Sequence, residues 1–232
     1  MKIKVDIAEA YRYLGGSGDP DGPEEAELRK ASGAVLEKCV PRTVERICGI
    51  RQMPDGIHVV GTGLLLTGKA VENLLRECSE CAIFCATIGQ ETEELIRRWE
   101  VKDIAFAAAL DACASSAVES LCDEEEDRIG GIIAADAVKY KDGYFFTDRF
   151  SPGYEDLPLS LQRDFCGTLD TGRKIGVTVN GSGLMIPRKS VTAVIGISGR
   201  KQKHRESGCE NCAAFGGCVF RERGVTCYGH IL

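Results

Sequence analysis

The sequence predicts an α+β fold in which an antiparallel, twisted sheet is flanked by helices, with a Cys-rich C-terminal extension. Strand-like and helix-like segments are mixed without the regular alternation that builds a parallel sheet. No G-x-G-x-x-G sequence follows a strand-like segment, which argues against a dinucleotide-binding fold. After about residue 200 the apolar segments give way to Gly, Lys, Arg and Cys. We therefore predict a main domain over residues 1–200 and a Cys-rich, metal-binding tail over residues 201–232.

The N-terminal part of the chain predicts two helices and a hairpin. Residues 2–13 are typical of a short strand or arm that runs into a helix. Pro23 suits the first turn of the next helix because its missing N–H has no partner there, and apolar residues at helical spacing continue to about Cys39. The strand-like segments 44–51 and 57–66 flank a Pro-Asp-Gly turn and predict a β-hairpin.

The rest of the main domain alternates irregularly between helix and strand. Residues 68–78 predict a helix and residues 82–88 a short buried strand. The Ala- and Glu-rich stretch 92–127 predicts two helices that meet near residues 101–103, the second of them mostly buried. The remaining predicted elements are strands at 130–137 and 144–150, a helix at 159–169, and strands at 175–179 and 191–197.

Composition narrows the classes of partner. With 29 Lys+Arg against 35 Asp+Glu the formal net charge is -6, so we expect no nucleic-acid partner. The first residues lack the apolar core of a signal peptide. The most apolar tract, 104–118, is interrupted by polar residues and is shorter than the roughly 20 apolar residues that cross a bilayer. We therefore expect a cytoplasmic protein with no membrane partner, in which the 12 cysteines are thiols or metal ligands.

Four cysteines of the tail form a candidate metal site. Cys209, Cys212, Cys218 and Cys227 lie on a Gly-rich, polar stretch that could bring them to one ion. The tail has little apolar material, so metal binding would supply its ordering free energy. The spacing C-x2-C-x5-C-x8-C matches neither a standard zinc site nor a standard iron–sulfur site. The alternative is a reactive or disulfide-forming tail. In contrast, the main-domain thiols of Cys85, Cys113, Cys122 and Cys166 are expected to be packed in the core.

The segment RFSPGYEDL at 149–157 carries the candidate chemistry of the main domain. Pro152 and Gly153 predict a turn directly after a strand, which would present Arg149 and Tyr154 side by side. The planar fork of an arginine suits a carboxylate, and the backbone of a turn can meet an adenine edge. The alternative interpretation is a surface turn whose arginine makes a salt bridge.

This segment resembles the R-x-x-x-G-Y motif of the activation domain of cobalamin-dependent methionine synthase, with Arg149, Gly153 and Tyr154 at its fixed positions. Residues 103–123 are similar to the long Ala-rich helix that precedes the motif. Residues 176–196 are similar to the segment after it in free-standing members, and the resemblance covers about residues 70–200.

The resemblance implies a domain that binds S-adenosylmethionine in a shallow groove and docks on a cobalamin module. Cobalamin in the inactive cob(II) state there takes one electron and a methyl group and becomes methylcobalamin. Arg149 would hold the methionine carboxylate, and Glu119 is a candidate for the ammonium group. The turn that would meet the adenine and ribose consists of Ser151, Pro152, Gly153 and Tyr154.

The sequence differs from the family pattern at two places and lacks one module of the family's larger enzymes, and these differences change the function that we expect. An acidic ligand-contacting position of the family aligns near Ser115, and Glu155-Asp156-Leu157 replaces a proline-cysteine element. No cobalamin module is recognisable in the 232 residues. We therefore expect action on a separate cobalamin-dependent methionine synthase or another corrinoid protein, together with a reductase. Because the reaction needs a low-potential electron, it favours an iron–sulfur cluster over zinc in the tail. The alternative is a metal-binding redox or interaction protein that has lost the ligand.

Overall fold

A computed structural model of the chain describes residues 2–16, 18–136, 139–140, 143–200, 215–222 and 224. The helices are α1 (Ile7–Tyr13), α2 (Gly22–Lys38), α3 (Lys69–Leu75), α4 (Gln90–Glu100), α5 (Ile104–Ala135), α6 (Gln162–Leu169), α7 (Thr171–Lys174) and α8 (Val219–Glu222), with 3-10 turns at Leu159–Leu161 and Phe215–Gly217. The strands are β1 (Arg42–Met53), β2 (Gly56–Val59), β3 (Leu65–Leu66), β4 (Glu80–Thr87), β5 (Phe145–Phe146), β6 (Thr178–Val179), β7 (Met185–Ile186) and β8 (Ser190–Ser198).

The centre of the protein is a six-stranded sheet in the order β3-β2-β1-β4-β8-β5. Every neighbouring pair in it is antiparallel, and β6 and β7 form a separate antiparallel pair. The predicted hairpin corresponds to β1 and β2, although its second strand is shorter than predicted and the chain turns before β3. The predicted α+β class, with an antiparallel sheet flanked by helices, is confirmed.

Both faces of the sheet are covered, so its central strand β4 is apolar along almost its whole length. Ala82, Phe84 and Ala86 face a core that they share with α1, α2, α4 and α5. The alternate side chains, among them Ile83 and Cys85, face a second core under α3 and α6. The four helices on the first face include α2, α4 and α5, the three longest helices that the structure describes. Together α1, α2 and α4 hold α5 against the middle of the sheet.

The long helix α5 begins as predicted and ends later than predicted. The Asp103 carboxylate accepts hydrogen bonds from the N–H groups of Ala105 and Phe106, both at 3.1 Å, and caps the first turn. The helix continues to Ala135, so the strand predicted at 130–137 is wrong. Ile129 and Ile133 are one turn apart and both buried, and this helical spacing decides the structure of an apolar run that could also suit a strand.

Among the residues that the structure describes, α5 is the one helix long and apolar enough to cross a membrane. However, 67% of its most apolar window is buried inside the protein. The helix therefore packs here as a core helix, which accounts for its apolar composition.

The predicted tail is only partly described. Cys209, Cys212 and Cys227 lie outside the described residues. Cys218 is half-buried and stands between the 3-10 turn and α8. The domain boundary at residue 200 and the common site of the four cysteines therefore remain predictions.

Candidate functional site

The position of Arg149 is set by the next residue, Phe150, which pairs with a strand of the sheet. Phe150 exchanges two backbone hydrogen bonds with Val194 of β8, at 3.0 and 2.8 Å. Its ring is 3% exposed and fills the core under α3 and α6. Because successive side chains of an extended segment point to opposite faces, Arg149 points to the other face, toward α5.

Three carboxylates of α5 surround the guanidinium group of Arg149. Its nitrogens lie 3.2 Å from Glu119, 2.6 Å from Asp123 and 3.3 Å from Glu126. Residues 119, 123 and 126 are spaced by four and three positions and therefore share one face of the helix. The structure thus brings together two predicted site residues, Arg149 and Glu119, and shows the salt bridge of the alternative interpretation at the same place.

The cluster carries one positive and three negative groups in a partly buried position. Burial raises the pKa of Glu119 and of Glu126, and Arg149 opposes this rise in both. Burial also disfavours the charge of Arg149, but the hydrogen bond to Asp123 and the neighbouring charges outweigh it and raise its pKa. The arginine is therefore a permanent cation inside a ring with surplus negative charge.

The predicted turn forms immediately after Phe150. The Tyr154 N–H donates to the Ser151 carbonyl at 3.1 Å, and the Gly153 N–H donates to the Leu157 carbonyl at 2.8 Å. Gly153 has a φ of 92°, a region that favours glycine. Pro152 is buried and Tyr154 is 63% exposed, with its ring centroid 6.5 Å from that of Phe150. The turn therefore forms as predicted and exposes an aromatic ring, and the placement of that ring beside Arg149 stays a prediction.

Asp156 fastens this turn to α3. Its carboxylate accepts hydrogen bonds from the backbone N–H groups of Lys69 at 2.7 Å and Ala70 at 3.2 Å. Gly68 has a φ of 130°, and a Cβ there would lie 2.8 Å from the Asp156 carboxylate. The Glu155-Asp156-Leu157 sequence, which departs from the family pattern, therefore has a structural role.

Replacing Asp156 with alanine is expected to lower the free energy of unfolding by about 1 kcal/mol, the usual effect of losing a helix cap. Asp156→Asn keeps an acceptor and should lose less. Chemical denaturation of the three proteins tests this. Equal stability of wild type and Asp156→Ala would contradict the role of the carboxylate.

Ser115 occupies the position where the resemblance implies an acid. It belongs to a separate group of three side chains, which begins one turn along α5 from Glu119. Lys189 donates a hydrogen bond to the Ser115 hydroxyl at 2.8 Å and pairs with Asp111 at 2.9 Å. The lysine side chain is 13% exposed. The charge here is balanced within the protein, so surplus negative charge is concentrated further along the helix, at Arg149.

Sequence reasoning missed Asp123 and Glu126 as partners of Arg149. Their helical spacing from Glu119 would have placed them on the same face, but nothing local indicated which face met the arginine. The sequence predicts the helix α1 but not its place beside this cluster, where Tyr13 donates a hydrogen bond to Glu9 at 3.1 Å. The charge of Glu9 helps to raise the pKa of Glu119, and the charge of Glu119 helps to raise the pKa of Tyr13. The helix α1 therefore borders the cluster.

Within the described part of the chain, no group of three or more His, Cys, Asp or Glu side chains is arranged to hold a metal ion. The predicted packing of the main-domain thiols is confirmed, because Cys85, Cys113 and Cys122 are 0% exposed and Cys166 is 8% exposed.

The fold resembles that of a solved structure described as the crystal structure of the MetH reactivation domain bound to AdoHcy. The superposition has a TM-score of 0.64, covers 87% of this chain and 76% of that one, and gives 17% sequence identity. A scan against protein-family models finds no match, and a search of curated proteins finds none. The chain therefore has a fold similar to that of the MetH reactivation domain.

Proposed function

We propose that this protein binds S-adenosylmethionine and supports the reductive remethylation of cobalamin on a separate cobalamin-dependent methionine synthase. The observation that carries the proposal is the cluster of Arg149 and three carboxylates beside the turn at Ser151 to Tyr154. The fold supports it, because the similar MetH reactivation domain was solved with AdoHcy.

The cluster suits an amino acid that carries both charges. A ligand carboxylate can replace one protein carboxylate in the planar fork of Arg149, which offers paired N–H donors. The acidic side chain that the ligand displaces is then available to the ligand ammonium group. Glu119 is one of the three side chains that could be displaced in this way. Exposed Tyr154 and the adjoining backbone offer an apolar face and polar edges for an adenosine. Each part of the ligand thus meets a group of matching chemistry.

In the proposed reaction, the electron comes from a reductase and the methyl group from the bound S-adenosylmethionine. Cob(II)alamin held by the partner gains one electron and a methyl cation to give methylcobalamin, and S-adenosylhomocysteine remains. This chain would hold and orient the methyl donor.

Visible absorption provides a direct test. The protein is mixed anaerobically with S-adenosylmethionine, titanium(III) citrate and a cobalamin-dependent methionine synthase fragment that lacks its activation domain and carries cob(II)alamin. We expect the cob(II) spectrum to change to that of methylcobalamin only when all components are present. No conversion above the partner alone would overturn the proposal. A second corrinoid methyltransferase tested in parallel shows whether another corrinoid protein is the partner.

A second candidate function is a metal-binding redox or interaction protein. The neutral Ser115 and its pairing with Lys189 favour it, as do the predicted tail ligands Cys209, Cys212, Cys218 and Cys227. Anaerobic purification, metal analysis and calorimetry with S-adenosylmethionine distinguish the two. Iron with visible absorption but no binding of the ligand would favour this candidate, and a colourless protein with stoichiometric zinc that binds the ligand would make the tail structural.

A further inference from the structure

Two buried thiols meet where α6 packs on the sheet. Cys85 of β4 lies opposite Thr192 of β8 in the strand register. The Gln162 amide of α6 donates a hydrogen bond to the Thr192 hydroxyl at 2.6 Å and lies 3.9 Å from the sulfur of Cys166, one helical turn away. The same amide therefore fixes the position of the Cys166 sulfur against the part of the sheet that carries Cys85.

The two thiols influence each other and differ in protonation. The neighbouring thiol of Cys85, with smaller contributions from Thr171 and Gln162, lowers the pKa of Cys166 to about 7 in spite of its burial. The Cys166 thiol, followed by burial, raises the pKa of Cys85 well above its ordinary value. One member of the pair thus has thiolate character near neutral pH and the other keeps its proton.

This arrangement differs from the other buried thiols of the main domain. Cys48 and Cys81 face each other across β1 and β4 with Cys78 nearby, but burial raises the pKa of all three. Burial likewise raises the pKa of Cys113 to about 11. Since the thiolate is the nucleophilic form, the Cys85–Cys166 pair stands apart from these thiols.

We propose that Cys85 and Cys166 are a reversible redox pair, which a hydroperoxide converts to an intramolecular disulfide that links β4 to α6. A small oxidant is required because Cys166 is 8% exposed and Cys85 is 0% exposed. Cys166 is the attacking residue and Cys85 the resolving one.

The chemistry proceeds in two balanced steps. The Cys166 thiolate attacks one oxygen of hydrogen peroxide; the O–O bond breaks, a sulfenic acid forms, and the leaving hydroxide takes a proton to become water. Cys85 then attacks the sulfenic sulfur. The S–O bond breaks, the S–S bond forms, and the Cys85 proton leaves with the hydroxyl group as a second water. Two thiols are oxidised and one peroxide is reduced.

The test is peptide mapping of the full chain after brief treatment of the reduced protein with stoichiometric hydrogen peroxide and capping of free thiols with N-ethylmaleimide. We expect a Cys85–Cys166 linked peptide that dithiothreitol removes. The free thiol of Cys166 should disappear at least about tenfold faster than that of Cys113, as its greater thiolate fraction implies. An oxidised protein in which Cys166 remains free, or links mainly to another cysteine, would overturn the proposal.

Two variants separate the roles. In Cys85→Ser, which keeps a polar donor beside Cys166 but cannot form the disulfide, the sulfenic acid at Cys166 should persist and react with dimedone, whereas in Cys166→Ser no adduct should form at Cys85. Cys113→Ser is the matched control and should form the disulfide like wild type. Circular dichroism confirms that each variant folds, and the wild-type map remains decisive if one does not. A dimedone adduct on Cys85 in place of Cys166 would contradict the assigned order.

Discussion

Replacing Arg149 with alanine is expected to weaken the binding of S-adenosylmethionine about 10- to 150-fold, or about 1.5–3 kcal/mol, the scale of a lost charge-assisted hydrogen bond. The variant loses the fork for the ligand carboxylate. It also leaves Glu119, Asp123 and Glu126 without the cation that they share, so surplus negative charge would repel the carboxylate. Arg149→Lys keeps the charge without the fork and should give an intermediate loss.

Calorimetry with two ligands identifies the cause. S-adenosylmethionine has a carboxylate, whereas 5′-methylthioadenosine has none, so Arg149→Ala should weaken the first and leave the second nearly unchanged. Arg173→Ala is the control, since Arg173 makes an exposed salt bridge with Asp170. Equal weakening of both ligands would show that Arg149 shapes the adenosine region and does not hold the carboxylate.

Replacing Gly196 with alanine is expected to lower the free energy of unfolding by about 1–3 kcal/mol, because it overpacks a closed core. Gly196 lies in β8, and a Cβ there would be 2.6 Å from the Cys78 sulfur, 2.7 Å from Leu75 and 2.8 Å from Thr147. Its N–H and carbonyl also bond to Thr147, at 2.8 and 3.0 Å. The strand cannot move away from the clash without breaking these bonds.

The matched control is Gly33→Ala, on the exposed side of α2 with no atom within 4 Å of a new Cβ. This change should stabilise the protein by about 0.5–1 kcal/mol, because glycine is a poor residue for a helix interior. Urea denaturation of both variants measures the difference. A Gly196→Ala protein as stable as wild type would mean that the core at this position is looser than the structure shows.

Local sequence signals were enough to predict most helices and the central strands. The Pro-Asp-Gly turn fixed the hairpin of β1 and β2, and the cap at Asp103 separates α4 from α5 as predicted. The strand predicted at 130–137 failed because a short apolar run suits either structure. There, burial of Ile129 and Ile133 against the core favours the helix.

Local sequence patterns are sufficient to predict the fold class, the turn at Pro152 and Gly153, and the chemistry that an arginine beside this turn could perform. Only the packing of distant segments brings Glu119, Asp123 and Glu126 to Arg149, Lys189 to Asp111, and Cys85 to Cys166. Periodicity and turn signals arise from neighbours within a few residues, so one sequence contains them. Charge and thiol pairs depend on which faces of α5, β4 and α6 pack together, and that choice is made by the whole core.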